Sequence, residues 1–318
     1  MSNPLTYRKD LTLRIIKMLE EGTAPWIKPW NPDLAPPMSP INGITGRPYQ
    51  GGNSLWLSCQ EYTDPRWATF KAISEAGGRV LKGEKASIVE YWQWTEKKRN
   101  EEGEMVEVKL EIPRCFHAHV FNFQQAENLQ EFKIEPPAWD PCEVAERILK
   151  NSGADIRYDK TDTAYYSSRN DQIHMPPKMM FPEPDGFYGT ALHELGHWTG
   201  HESRLDRKLG NSFGSPEYAL EELRAQVSSY FLASQLHIPF DVDQNAAYIS
   251  SWCDALRSDH NLLFKVAKDA SKIADYVLQF QQEKTLTTEA EPRKPSEKAA
   301  EALSFLKKSR SKEVELEC

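Results

Sequence analysis

The chain has 318 residues, 39% of them hydrophobic and 27% charged; that is enough for two domains with cores of their own, and no apolar run approaches the roughly 20 residues of a membrane helix, which excludes an integral membrane protein. The five cysteines (Cys59, Cys115, Cys142, Cys253, Cys318) are odd in number, widely spaced and without a C-x-x-C pair, and MSNPLTYRKD is no secretory signal; this argues against a disulfide framework or a cysteine-based zinc site and points to a reducing cytoplasm. The net charge of -8 hides a division, since residues 1–99 carry 14 Lys+Arg against 10 Asp+Glu while residues 135–280 carry 14 against 22, so the two halves present different fields to partners.

The first predicted element is a helix from Leu5 to Glu21, with Leu11, Ile15, Ile16 and Leu19 on one stripe and Gly22 as the stop. Residues 26–52 are rich in Pro, Gly and aromatic residues and read as a long surface loop. A short helix is expected from Asn53 and another from Pro65, with Asp64 as N-cap and Gly77 as the C-terminal signal. Strand patterns follow at 88–94, 106–110 and 116–123, the first two separated by a charged hairpin from Glu96 to Glu104. Pro136-Pro137 interrupts the pattern and Asp140-Pro141 opens a new helix, which sets a boundary near 135. Beyond it come a helix to Asn151, short strands near 156–158, 164–166 and 172–175, and then helices at about 188–201, 216–236 and two more to Phe280. The expected architecture is α+β in two domains, 1–134 and 135–280, with a flexible charged tail at 281–318.

His193-Glu194-Leu-Gly-His197 is an H-E-x-x-H motif inside a helical pattern. Residues i and i+4 share a helix face, so both imidazoles reach one metal while Glu194 approaches a metal-bound water as general base. A third ligand must come from a later element and leave one position open. Glu222-Leu-Arg-Ala225-Gln226 fits the E-x-x-A-[DN] frame that several zincins use, which makes Glu222 the candidate ligand, with Gln226 behind it as support; Glu221 and Asp206 are the alternatives. His201 lies two turns from His193, too far to share the ion. Ser203 stands where the metzincin pattern needs histidine, so that subclass is excluded. Imidazole and carboxylate donors favour zinc, with another divalent transition metal as the alternative. The implied chemistry is peptide hydrolysis, with the strand Asp171–Pro176 holding an extended substrate by edge pairing and Tyr188, His201, Tyr230 and His237 as candidate oxyanion donors.

In the first domain Trp26, Trp30, Tyr49, Trp56 and Trp67 alternate with Arg47, Arg66, Lys82 and Lys85, and six of the nine tryptophans fall within the first 94 residues. Rings that stack on bases interleaved with cations that neutralise phosphate are what a single-stranded DNA site needs. The same pattern also suits an ordinary core, and His117 and His119, at i and i+2 on one strand face, could bind metal but read as structural.

The run Gly22-x-x-Pro-Trp26-x-x-Pro-Trp30, then Asn42-Gly-x-Thr-Gly46-x-x-Tyr49-x-Gly51-x-Asn53, Arg66-Trp67 and Val80-x-Lys-Gly-Glu-Lys85, followed by His193-Glu-Leu-Gly-His-Trp-Thr-Gly-His201 and Glu221-Glu-Leu, resembles the ArdC antirestriction family over residues 5 to 280. That family is related to the N-terminal region of plasmid TraC-type primases. The resemblance implies an N-terminal domain that binds single-stranded DNA, a zinc-peptidase-like C-terminal domain and protection of incoming plasmid DNA from host restriction. The family tends to carry an acid where this chain has Gln226. Two other readings compete: an intracellular metallopeptidase whose first domain selects a protein or peptide substrate, and a DNA-binding protector with a purely structural metal.

Overall fold

The computed structural model describes residues 4–24, 38–60, 62–99, 103–132, 141–160, 163–209, 215–238 and 248–282. Helix α1 (Pro4–Glu20) buries Tyr7, Leu11, Ile15, Ile16 and Leu19, the apolar stripe expected of it. After it come β1 (Ile41–Asn42), α2 (Gly51–Ser58), β2 (Arg66–Thr69), α3 (Phe70–Glu75) and β3 (Arg79–Val80). The long strands β4 (Ser87–Arg99) and β5 (Met105–Asn122) then form a hairpin, and β6 (Ala126–Glu127) pairs with β3. The main sheet runs β1-β2-β5-β4, with β1 parallel to β2 and the rest antiparallel.

Two local readings change. The helix expected from Pro65 begins only at Phe70, capped by Thr69, whose hydroxyl accepts from the Ala72 N–H. Residues 66–69 are a strand instead, because the Asp64 carboxylate is taken by the Arg66 backbone N–H and guanidinium, which leaves it no role as a cap. Pairing with β5 then buries Trp67 in the sheet's core. The two strands expected at 106–110 and 116–123 are one, β5, with a register shift opposite Gln93 to Thr95. β4 runs on to Arg99, so residues 96–99 of the charged hairpin are strand.

The second half contains α4 (Pro141–Ser152), β7 (Asp155–Arg157), β8 (Tyr165–Ser167), β9 (Gln172–His174), α5 (Pro184–Trp198), α6 (Pro216–Leu236), α7 (Ile249–Ser258) and α8 (Leu262–Leu278). The small sheet is ordered β7-β9-β8, so β9 is paired on both sides and cannot take a substrate strand. Among the described residues its outer strands are β7 and β8, and the expectation for Asp171–Pro176 is corrected accordingly. Gln172 to His174 alternate in polarity, which places a strand in a sheet but does not tell an edge from a centre.

The chain is α+β in two domains, and helices of both halves meet in one core. Helix α1 packs along α7 and α2 along α8, and Leu11, Ile15 and Leu55 share a cluster with Trp252, Leu263 and Val266. Gly52 makes the second contact feasible, since a Cβ there would lie 2.6 Å from the Phe264 ring. Residues 1–282 form one compact unit; Asn151 Nδ2 donates to the carbonyls of Phe280 and Gln282, so the packed chain runs past the expected start of the tail at 281. The Pro136-Pro137 boundary, Trp26 and Trp30, and residues 283–318 lie outside the described residues.

Candidate metal centre

Helix α5 starts at Pro184, whose missing N–H costs nothing in a first turn, and carries the H-E-x-x-H residues in its last two turns. Its neighbour α6 starts at Ser215, whose hydroxyl accepts from the Tyr218 N–H. The two helices approach closely at Gly196, where a Cβ would stand 3.2 Å from Ser228 Oγ, so the glycine inside the motif sets their spacing.

That spacing brings Glu222 of α6 to the two imidazoles. His193 Nε2 and His197 Nε2 are 3.2 Å apart, His197 Nε2 lies 3.4 Å from Glu222 Oε1, and His193 Nε2 lies 3.6 Å from Glu222 Oε2. Two donors about 2.1 Å from one ion at a tetrahedral angle stand about 3.4 Å apart. The three residues therefore fit a divalent transition metal held by two nitrogens and one oxygen.

Glu221 stands behind this set. Its Oε1 is 3.6 Å from His197 Nδ1, the ring nitrogen turned away from the donor cluster, and it receives 2.7 Å and 3.1 Å hydrogen bonds from Arg207 Nη2 and Nε. Arg207 also donates to Thr199 Oγ1 and the Gly196 carbonyl, at 2.8 Å each. Glu221 thus sits where it orients His197 and not where a third ligand would. Gln226 is buried further along α6. The orienting acid precedes the candidate ligand by one residue instead of following it by four, and its partner Arg207 carried no sequence signal. Asp206 is not among the metal-compatible groups found in the described residues.

Burial raises the pKa of Glu194, 5% exposed, and the nearby imidazoles only partly offset it. Burial would likewise raise Glu222, but hydrogen bonds from His193 and His197 outweigh it and hold the carboxyl below its usual range. For the His197 imidazole burial acts downward; Glu221 and Glu222 more than reverse this, to about 10. The Tyr166 backbone also acts on Glu194, downward, so β8 runs near the carboxylate of the H-E-x-x-H motif. Arg204 holds that strand in place: it pairs with Asp171, donates to the Trp198 carbonyl at 2.6 Å and lies 3.8 Å over the Trp198 ring.

Of the phenols and imidazoles considered for the oxyanion, none lies in this cluster. Tyr188 bonds Lys178 and Glu146, His201 bonds Ser203, Tyr230 is in the core and His237 ends α6. The phenol at the site is Tyr218, one turn before Glu222 on α6 and bonded to both Glu222 and Tyr248.

The residues read as DNA-facing are dispersed. Arg47, Lys82 and Lys85 are exposed. Tyr49 is half-buried, and burial pushes its phenol up to about 12. Trp56 packs edge-on against Tyr7 and beneath Arg14. Arg66 is held by Asp64 and the Gln130 carbonyl between the Phe123 and Phe132 rings, and Trp67 is 1% exposed; neither is free to meet a base or a phosphate. Exposed rings cluster elsewhere, on the β4–β5 hairpin: Tyr91 stacked on Phe116, and Trp92 beside Trp94.

Two families match the chain: the N-terminal domain of anti-restriction factor ArdC over residues 6–121, and a zincin-like metallopeptidase family over residues 143–269. A DNA primase TraC of Escherichia coli is 44% identical over 289 residues, 87% of this chain and 27% of the primase, so the chain spans about a quarter of that relative's length. The crystal structure of the antirestriction protein ArdC from plasmid R388, metal-free, is similar with a TM-score of 0.69 and 38% identity, covering 86% of this chain and 97% of that one. The Mn(II)-bound crystal structure of the same protein matches with the same TM-score, 36% identity and the same coverage.

Proposed function

The chain belongs to the ArdC antirestriction family, and on that premise we propose that it protects incoming DNA from host restriction, binding single-stranded DNA through its N-terminal domain and carrying a zinc-dependent peptidase site in its zincin-like domain. The observation that carries the peptidase half is the convergence of His193, His197 and Glu222 from two helices, with Glu194 buried beside them. We place the division between the domains at 134/135, between the two matched regions.

A divalent ion bound there supplies a Lewis acid and acidifies a water. Glu194, whose pKa burial raises, accepts the proton of the attacking water and returns it to the leaving amine. Glu221 fixes the ring of His197, and the outer edge of β8 takes an extended peptide by strand addition. Zinc suits two imidazoles and a carboxylate best, and manganese is the alternative.

For DNA, the accessible cations Arg47, Lys82 and Lys85 join Trp26 and Trp30 and the exposed hairpin rings Trp92 and Trp94. Stacking requires unpaired bases, and phosphate contacts make affinity fall steeply with salt. The test measures binding of single-stranded and duplex oligonucleotides over a salt series, together with restriction of transferred plasmid in cells. Stronger, salt-sensitive binding to the single strand, lost along with protection in Trp26→Ala plus Trp30→Ala, is the expected result. Equal affinity for both DNA forms would refute the stacking model; loss of protection in Glu194→Gln at unchanged DNA affinity would make hydrolysis the means.

A further inference from the structure

A second group of metal-compatible side chains lies in the first domain. On one face of the hairpin, Cys115 and His117 of β5 stand two residues apart, and Glu90 of β4 is the cross-strand partner of His117. One donor atom from each of the three lies within 4.8 Å of the other two, and His117 Nε2 is 3.6 Å from Glu90 Oε1. That is close to the separation of two ligands on one tetrahedral ion.

The surroundings hold these donors in place. Asn53 bonds both the N–H and the carbonyl of Glu90, at 2.9 Å and 2.6 Å, and so pins the outer edge of β4. Arg8 donates to Glu90 Oε1 at 2.9 Å and Oε2 at 2.6 Å, and its guanidinium lies 4.6 Å over the Phe264 ring. An ion pair between Arg8 and Glu90 alone would need neither Cys115 nor His117.

Two orphans point to something more. His117 Nε2 and the Tyr7 hydroxyl are buried without a hydrogen-bond partner, and Tyr7 is only 5% exposed. Tyr7 and His117 have their rings 6.2 Å apart, and both Glu90 and Cys115 act on the Tyr7 phenol. A buried unpaired polar group costs about 1–3 kcal/mol, so two at one spot ask for a shared cause.

We propose that Glu90, Cys115 and His117 form a second metal site, for a borderline-soft divalent ion of the zinc class, bound through one sulfur, one nitrogen and one oxygen. On binding, the Cys115 thiol releases its proton to solvent and His117 Nε2 gains its missing partner. The Tyr7 hydroxyl then has a thiolate to donate to. The thiolate and Glu90 offset the ion's two charges, and Arg8, whose guanidinium stays on the second Glu90 oxygen, leaves the cluster at +1. The ion cross-links β4 to β5 where Arg8 of α1 already pairs with Glu90, a structural role separate from the H-E-x-x-H centre.

Cobalt titration of the full, reduced, metal-free chain tests this, because the centre on α5 and α6 contains no sulfur. A thiolate-to-cobalt charge-transfer band therefore reports the second site alone. The expected result is uptake of two equivalents, with the band saturating at one, absent in Cys115→Ser, weakened at least tenfold in His117→Ala and retained in His193→Ala. No thiolate band in the wild-type protein at two equivalents would overturn the proposal without any variant. So would a band that survives Cys115→Ser, or one unchanged in His117→Ala.

Discussion

Burial acts on Glu194 and Glu222 with the same sign and leaves them with opposite pKa shifts. Two imidazoles bond Glu222 directly, whereas Glu194 stands one residue around the helix and meets them only through space. The proposed division into ligand and base follows from that placement. Glu194→Gln is expected to keep bound metal while lowering any peptide hydrolysis by roughly 10² to 10⁴, read by metal analysis beside a cleavage assay; loss of the metal would make Glu194 a ligand. Glu221→Gln should weaken metal binding by about 10–100-fold, since His197 loses its orienting carboxylate, and a competition titration with a chelator reads this directly. The metal-free protein carries a pH signature as well. His197, raised from 6.5 to about 10, contributes stability that is complete below pH 6.5 and is lost as the pH climbs toward 10. Glu222, held below its usual 4.5, contributes above that pH and loses its share as the solution is acidified. A ligand histidine must be neutral, so saturating metal should abolish the alkaline decline. Melting temperatures at pH 6 and pH 9, with and without chelator, check this; an equal alkaline drop in both would contradict it.

Helices were the readable elements. The stripe of α1 and the long pattern of α6 agree with the structure to within a residue or so, because an apolar face repeating at a period near 3.6 fits a helix and neither a strand nor a loop. What misled was local punctuation. Asp64-Pro65 looks like a helix start, yet Arg66 two residues on claims the carboxylate, and sheet pairing buries Trp67. The same ambiguity put Trp67 among stacking residues, since sequence shows that a tryptophan is present but not which side of a sheet covers it. At the candidate metal centre the motif pointed to both imidazoles and to Glu194, and the zincin frame pointed to Glu222. Glu221 as an orienting acid was hidden because Arg207 lies on a connection with no periodicity. Packing between elements yields its own prediction: Gly52→Ala drives a Cβ into the Phe264 ring and should destabilise the protein by about 1–3 kcal/mol, read by denaturant unfolding. An unchanged midpoint would mean that α2 and α8 separate at no cost.

Over the whole molecule, the elements that meet are distant in sequence. Because α1 and α7 share a core, Leu11→Ala should cost about 2.7–5 kcal/mol and lower the unfolding midpoint of both halves together, seen by tryptophan fluorescence and by metal release. Early loss of one signal with the other unmoved would show that the halves unfold independently. The arrangement also has a consequence during synthesis on the ribosome. Helix α1 is made well before α7 and α8, whose apolar residues share its core and emerge more than two hundred residues later. At roughly 5–20 residues per second, Leu11, Ile15 and Leu19 wait on the order of ten to fifty seconds for their partners. The nascent chain is a natural client for a holding chaperone throughout that interval.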